Sequence, residues 1–539
     1  MRLTDMKIGR TFFWSTVSIA ALISGSSVRT VWAATPSDPV LELLLEKGVV
    51  TQQEVDKARA QSEEIRTNQL AQMLPPPESK WKLSNALKNI ELFGDVRVRY
   101  EYRDAEAPGG GGVELDRARL AVRLGLRGEA FDDFYYGLRL ETSANPRSPW
   151  ITMGSSSSGT PYQGPYGKST SGIAIGQAYL GWRPASYFDF TIGRMANPLY
   201  TTPMVWDTDL NPEGAAEKFK VTIGEADFFA NFGQFLYQDA NPTFAGGGFG
   251  FNGLEGQRTT PVVQLAYQGG INYHFTTNIN AKIAATVYQY LGTATNVSPF
   301  FGDPFVGEGA FTGPGTANPI NGASGYGTSS TLLGNGSLGF PNNQVGLNHL
   351  LVLEIPAEVN FPIKKLNARF FGDFAYNLEG KQRAEDAAAG YANYLAQQSA
   401  LGNVSVKPFA PQRNDVKAYQ VGFGIGSGGQ VYGPMQGIVY GTTSRKHGWE
   451  ARAYWQHVEQ YALDPNLLDS DFFEGRANLE GIYTALAYGW SENVITTIRY
   501  GYASRINDKL GTGGSNQDIP QVNPIQRYHL LQVDLTFRF

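Results

Sequence analysis

The chain contains no cysteine. That excludes a disulfide framework, a thiolate metal site and a lipid-modified cysteine. It also lacks any long apolar run after its first residues. A membrane-crossing helix needs about 20 consecutive apolar residues, so helical spans are excluded. Charged residues make up only 17 % and the formal net charge is −5, which argues against nucleic acid as a partner. The histidines, His274, His349, His447, His457 and His529, are scattered and lack metal-ligand spacing. No G-x-S-x-G context makes a hydrolase of Ser330 and His349. Gly248 to Gly253 and Gly424 to Gly429 both fit G-x-G-x-x-G, but neither opens a recognisable helix, as a dinucleotide site requires. The expectation is a protein without cofactor or metal, and not an enzyme.

What the chain does have is glycine, 63 residues, and aromatics at 13 %, a balance that fits strands and turns. At the start, Arg2, Lys7 and Arg10 precede a short apolar stretch from Phe12 to Gly25. With Val31-Trp32-Ala33, residues 1–33 read as a secretory signal peptide cleaved after Ala33. Residues 34–80 read as a helical periplasmic segment. A short amphipathic helix from Pro39 to Lys47 stops at Gly48, and Thr51 with Glu54 forms a capping-box spacing for a second. Val55, Ala58, Ile65 and Leu70 give the second helix a broken stripe, and Pro75-Pro76-Pro77 ends it. That stripe leaves open a coiled-coil trimer, a contact with the cell wall, or a solvated helical hairpin.

From about Ile90 the texture changes to alternation. In the closing residues, Leu531, Val533, Leu535, Phe537 and Phe539 alternate with Gln532, Asp534, Thr536 and Arg538. Val263, Leu265, Tyr267, Ile271, Tyr273 and Phe275 likewise share a face opposite Gln264, Gln268, Asn272 and His274. A period of two places one face in an apolar medium and the other in a polar one. Sixteen such stretches are found over residues 81–539, with short and long connections in turn. That is the pattern of an all-β, antiparallel transmembrane barrel. Gly426 to His447 should be short and is not, so eighteen strands also fit. A soluble β-sandwich alternates too, but strand number and loop asymmetry speak against it.

The polar face is rich in arginine. Arg97, Arg99 and Arg103 share it with Asp95 and Glu101, and Arg117, Arg119, Arg123 and Arg127 share one face of the next stretch. Arg139 continues the set on the third. Charges facing lipid near the midplane cost about 2–4 kcal/mol each, so these arginines belong in the lumen. The third long connection carries Asp207, Asp209, Glu213 and Glu217. Folded into a water-filled lumen, those acids would face the arginine wall and set a transverse field at a constriction. The alternative is that these charges pair with near neighbours and only solvate the wall.

Several stretches carry a family resemblance: LELLLEKGVVTQQEVDKA, IELFGDVRVRYEYRD, ELDRARLAVRLGLRGEAFDDFYYGLRLET, and IGQAYLGWRP followed by FDFTIGRMANP. They resemble the Putative porin family of Gram-negative outer membranes. The resemblance implies a general-porin-like barrel in the cell outer membrane, a channel for passive transport of small hydrophilic solutes or ions. It implies outer-membrane lipid as surroundings, a homotrimer as assembly, and a terminal Phe539 read by the barrel-assembly machinery. A barrel serving only as a structural tether or an enzyme anchor is the competing expectation.

Overall fold

The structure is a computed structural model. It describes residues 47–48, 51–53, 55–57, 87–143, 148–154, 172–238, 262–291, 349–388, 410–427, 446–512, 518–519, 522 and 524–539. The signal peptide, the proline run and Gly248 to Gly253 lie outside them. The chain divides into residues 1–83 and 84–539. In the first unit Val55 donates its backbone N–H to the Thr51 carbonyl at 3.1 Å, a helical turn where the capping residues predict one.

The second unit is built from strands. In chain order they are β1 (Glu91–Glu106), β2 (Gly112–Glu129), β3 (Phe134–Ser143), β4 (Ile151–Thr152), β5 (Gly172–Ala185), β6 (Phe188–Arg194), β7 (Glu213–Ile223), β8 (Ala226–Gln238) and β9 (Val262–Thr276). Then follow β10 (Ile279–Leu291), β11 (Leu351–Ile363), β12 (Leu366–Asn377), β13 (Lys417–Gly426), β14 (Trp449–Val458), β15 (Leu479–Gly489), β16 (Val494–Arg505) and β17 (Arg527–Arg538). All but β4 form a ring in which each strand pairs antiparallel with two neighbours, and β1 pairs with both β2 and β17. The result is a closed barrel of sixteen strands. Closure leaves no edge whose N–H and C=O groups go unpaired. β4 is an extra short strand that lies on β2 at Arg119 and Leu120, above the point where β3 ends.

The pairing resolves the strand number. β13 and β14 register directly, from Ala418↔Val458 to Gly426↔Glu450, so no further hairpin stands between them in the wall. The ring closes at the last residue: Phe539 and Gly94 exchange backbone hydrogen bonds of 3.0 and 3.1 Å. Gly94 is required there, because a Cβ would lie 2.4 Å from the Arg123 carbonyl and 2.9 Å from the Phe539 ring.

Alternation sets the two faces. Leu92, Val96, Val98 and Tyr100 of β1, Leu124 and Leu126 of β2, and Leu535 and Phe537 of β17 are exposed outward. Arg97, Arg99, Glu101 and Arg103 between them are buried inward. Outward apolar residues continue round the ring as Ile192, Val221, Phe228, Tyr267, Ile283, Val359, Phe370, Val421, Ile482 and Ile498. An apolar belt of this extent has no place in water and marks contact with an apolar phase.

Three differences from the sequence expectations follow from physical causes. The first long connection is a tight turn over 107–111, because Ala105↔Val113 and Glu106↔Gly112 continue the ladder. β7 begins at Glu213 rather than near Lys218, because Gly214-Ala215-Ala216 pairs although it lacks an apolar alternation. Only glycine fits at 214: its φ is +145°, and a Cβ would lie 2.1 Å from the Gln234 carbonyl. Third, the lumen is not an empty bore. The connections β6–β7, β14–β15 and β16–β17 fold inward, and Met204, Val205, Trp206, Leu463, Leu468, Phe472, Phe473 and Ile519 build an apolar core inside the ring.

Candidate functional site

The site is the lumen, and β1 and β2 supply its most charged wall. Strand period two places Arg97, Arg99 and Arg103 of β1 and Arg117, Arg119, Arg123 and Arg127 of β2 on the inward face, with Arg139 on β3 beside them. Burial of this many guanidiniums requires partners. Arg99 makes a forked contact with Asp534 at 2.7 and 3.0 Å, reaches Asp471 at 2.8 Å, and stacks on Trp150 with 4.0 Å to the ring centroid. Glu101 sits among four arginines: Arg117 at 2.5 Å, Arg103 at 3.1 Å, Arg119 at 3.6 Å and Arg99 at 3.7 Å. Asp518 faces the same group, 2.6 Å from Arg117 and 3.2 Å from Arg103. Arg97 pairs with Asp95 at 2.5 Å, Arg139 with Glu141 at 3.0 Å, and Arg127 with Glu91 at 2.6 Å at the exposed short-turn end.

The β6–β7 connection, residues 195–212, crosses this space. Met195 and Pro212 close its base with a backbone hydrogen bond of 3.0 Å. Gln268 of β9 clamps Tyr200, accepting from its N–H at 2.9 Å and donating to its carbonyl at 2.8 Å. Thr201 donates to Glu354 of β11 and Thr202 to Asp373 of β12, each at 2.5 Å. The chain then turns back. Asp207 donates its N–H to the Leu467 carbonyl at 2.7 Å and accepts from the Ser470 N–H and hydroxyl at 3.0 and 2.8 Å. Asp209 pairs with Arg123 at 2.5 Å, and Asn211 accepts from Gln177 of β5 at 2.9 Å. The loop is thus fastened to β9, β11 and β12 on one side and to β2 and β5 on the other.

Of the four acids predicted to oppose the arginines, Asp209 alone pairs with one of the arginine-wall residues. Asp207 meets Ser470 instead. Glu213 and Glu217 are on β7, not on the loop, and share the outward face of Phe219, Val221 and Ile223. There Glu213 pairs with Arg194 and Glu217 accepts from Gln234 at 2.9 Å. The expectation that they line the lumen is corrected by the strand start at Glu213, which fixes their parity. Besides Asp209, the wall meets Glu91, Asp95, Glu101, Glu141 and Asp534 from the barrel itself and Asp471, Glu474 and Asp518 from two other loops. Asp534 was legible from the closing alternation. Nothing local marks the loop acids, whose partners lie hundreds of residues away in sequence.

Burial pushes the Asp207 carboxyl up to about 7, helped by the nearby Asp209 charge. Asp469 beside it is also pushed well up by burial and by Asp207 and Asp471. Asp471, although partly buried, is held low by Arg99, Arg499 and Arg103. A carboxyl raised from 3.8 in the unfolded chain to about 7 when docked favours the docked loop while protonated. That contribution is full below about pH 4 and is lost as pH rises to about 7. The docked loop should therefore loosen between about pH 4 and pH 7, and Asp207→Asn should flatten the change. Limited proteolysis of the 195–212 connection across this range checks it; an unaltered profile in the variant would remove Asp207 as the titrating group.

A closed antiparallel barrel with an apolar exterior, a charged interior and an infolded loop defines a porin-like β-barrel protein. The family model described as Putative porin matches residues 112–302, from the start of β2 to just beyond β10, in agreement with the resemblance read from the sequence. No curated protein matches the chain.

Proposed function

We propose that the protein is an outer-membrane porin whose narrowed channel passes small hydrophilic solutes or ions by passive diffusion. One observation carries this reading: a closed sixteen-strand ring turns its charged residues inward and its apolar residues outward. A ring of that size is too wide for its own wall side chains to fill. The loop 195–212 narrows it, and Arg123 with Asp209 and Arg139 with Glu141 stand at the loop's edge. Arg97, Arg99, Arg103, Arg117 and Arg119 line the adjoining wall and Arg127 its short-turn mouth. In this reading residues 1–33 are an export signal, Phe539 is read by the barrel-assembly machinery, residues 34–80 lie in the periplasm, and the barrel assembles as a homotrimer.

The test is single-channel recording of the purified, lipid-reconstituted protein in asymmetric potassium chloride. Discrete conductance steps with a non-zero reversal potential are expected. Neutralising Arg123 and Arg139 to Gln leaves Asp209 and Glu141 uncompensated, so the reversal potential should move toward cation preference. A correctly folded barrel without conductance at any voltage would favour the tether or anchor, which in turn predicts periplasmic binding lost on deletion of residues 34–80.

A further inference from the structure

On the short-turn side of the loop, beneath residues 197–200, the lumen holds a cavity of about 550 Å³. Four cations line it, Arg183, Lys218, Lys220 and Lys282, against Asp189, Asp227 and Glu358. Three of the cations are matched: Asp189 takes Arg183 at 2.9 Å and Lys218 at 3.1 Å, and Asp227 takes Lys220 at 3.0 Å. Glu358 is engaged by Arg369 at 2.9 Å. Lys282, inward on β10, has no ion-pair partner among the described residues. Its ammonium rests instead on the Tyr200 ring, 3.9 Å from the centroid, with the Phe229 ring at 5.0 Å.

A ring face attracts a cation more weakly than a carboxylate in contact does. The lysine is therefore held in place with no anion in contact, Glu358 acting on it only from beyond ion-pair distance, beside two aromatic surfaces and in a space of small-molecule size. We propose that this cavity is a docking site for small organic monocarboxylates. The Lys282 ammonium takes the carboxylate, and the Tyr200 and Phe229 rings meet the apolar body. A single cation with no anion in contact matches a single negative charge, and the ring surfaces disfavour a bare hydrated dianion. Because Gln268 fixes the Tyr200 backbone, the site exists only while the loop is docked. It would hold such solutes at the short-turn mouth; this role rests on the channel reading, whereas binding itself does not.

Equilibrium binding of benzoate to the full, detergent-folded chain, measured by calorimetry at constant ionic strength, tests the site without needing conduction. Benzoate should bind more tightly than inorganic phosphate. Lys282→Gln should weaken it about tenfold or more, equal to about 1.4 kcal/mol. Lys282→Arg should retain most of the affinity, and Lys365→Gln, at an exposed lysine that does not line the cavity, should lose little. Equal benzoate affinity in the parent and in Lys282→Gln, tighter binding of phosphate, or no binding at all would overturn the site. A barrel that binds benzoate through Lys282 yet never conducts would instead overturn the channel reading and leave the site standing.

Discussion

Glu101→Gln should destabilise the barrel by about 3–5 kcal/mol, although the change adds or removes almost no volume. Glu101 is fully buried and is the carboxylate that Arg99, Arg103, Arg117 and Arg119 share. It also accepts from Gln532 of the closing strand at 2.8 Å. Glutamine keeps the shape and removes the charge, so four guanidiniums are left with Asp518, Asp471, Asp534 and Glu474, which are already engaged. Breaking one side of a buried ionic group is costly because the desolvated partner charges remain. The loss should be read as a lower urea midpoint of the micelle-folded protein, against Asp116→Asn on the outward face as a control. Asp116 is exposed, and its replacement should stay within about 0.5 kcal/mol. If Glu101→Gln were no worse than that control, charge balance would not be what holds the β1–β2 wall together.

Removing both threonine hydroxyls at the tip of the β6–β7 connection should widen the channel. Thr201 and Thr202 fasten that connection to Glu354 and Asp373 across the lumen. Hydrogen bonds to such groups contribute about 1.5–3 kcal/mol each. The double change Thr201→Val and Thr202→Val keeps the side-chain shape but deletes both donors. The loss of about 3 kcal/mol or more shifts the ratio of latched to unlatched loop roughly a hundredfold. Single-channel conductance should rise and its sieving of larger neutral solutes should relax, while the wall, whose ladder is untouched, should keep its urea midpoint. An unchanged conductance would mean that the constriction lies elsewhere, on the β14–β15 or β16–β17 connection.

The strand order, the two faces of the wall and the inward turn of the arginines were all legible from residue alternation. A strand has period two, and a charge on the lipid side is penalised heavily enough to fix the parity of a whole stretch. Where alternation failed as a signal, the reading failed with it: Gly214-Ala215-Ala216 pairs as strand without an apolar rhythm, and this moved Glu213 and Glu217 to the outer face. Asp207 and Asp209 lie on the connection where the sequence puts them, but neither its course inside the ring nor their neighbours there were readable.

By itself, then, the sequence determined a sixteen-strand wall, with Gly426 to His447 its one ambiguous connection, and the sign of charge that the first strands present to the interior. Only the tertiary structure decided which carboxylates answer those arginines, that loops fill much of the bore, and that Lys282 stands unpaired above the short turns. The reason is range. Facing is a local consequence of the pleat, whereas the partners Arg99–Asp534, Thr201–Glu354 and Arg103–Asp518 meet only because the ring has closed and folded its loops inside.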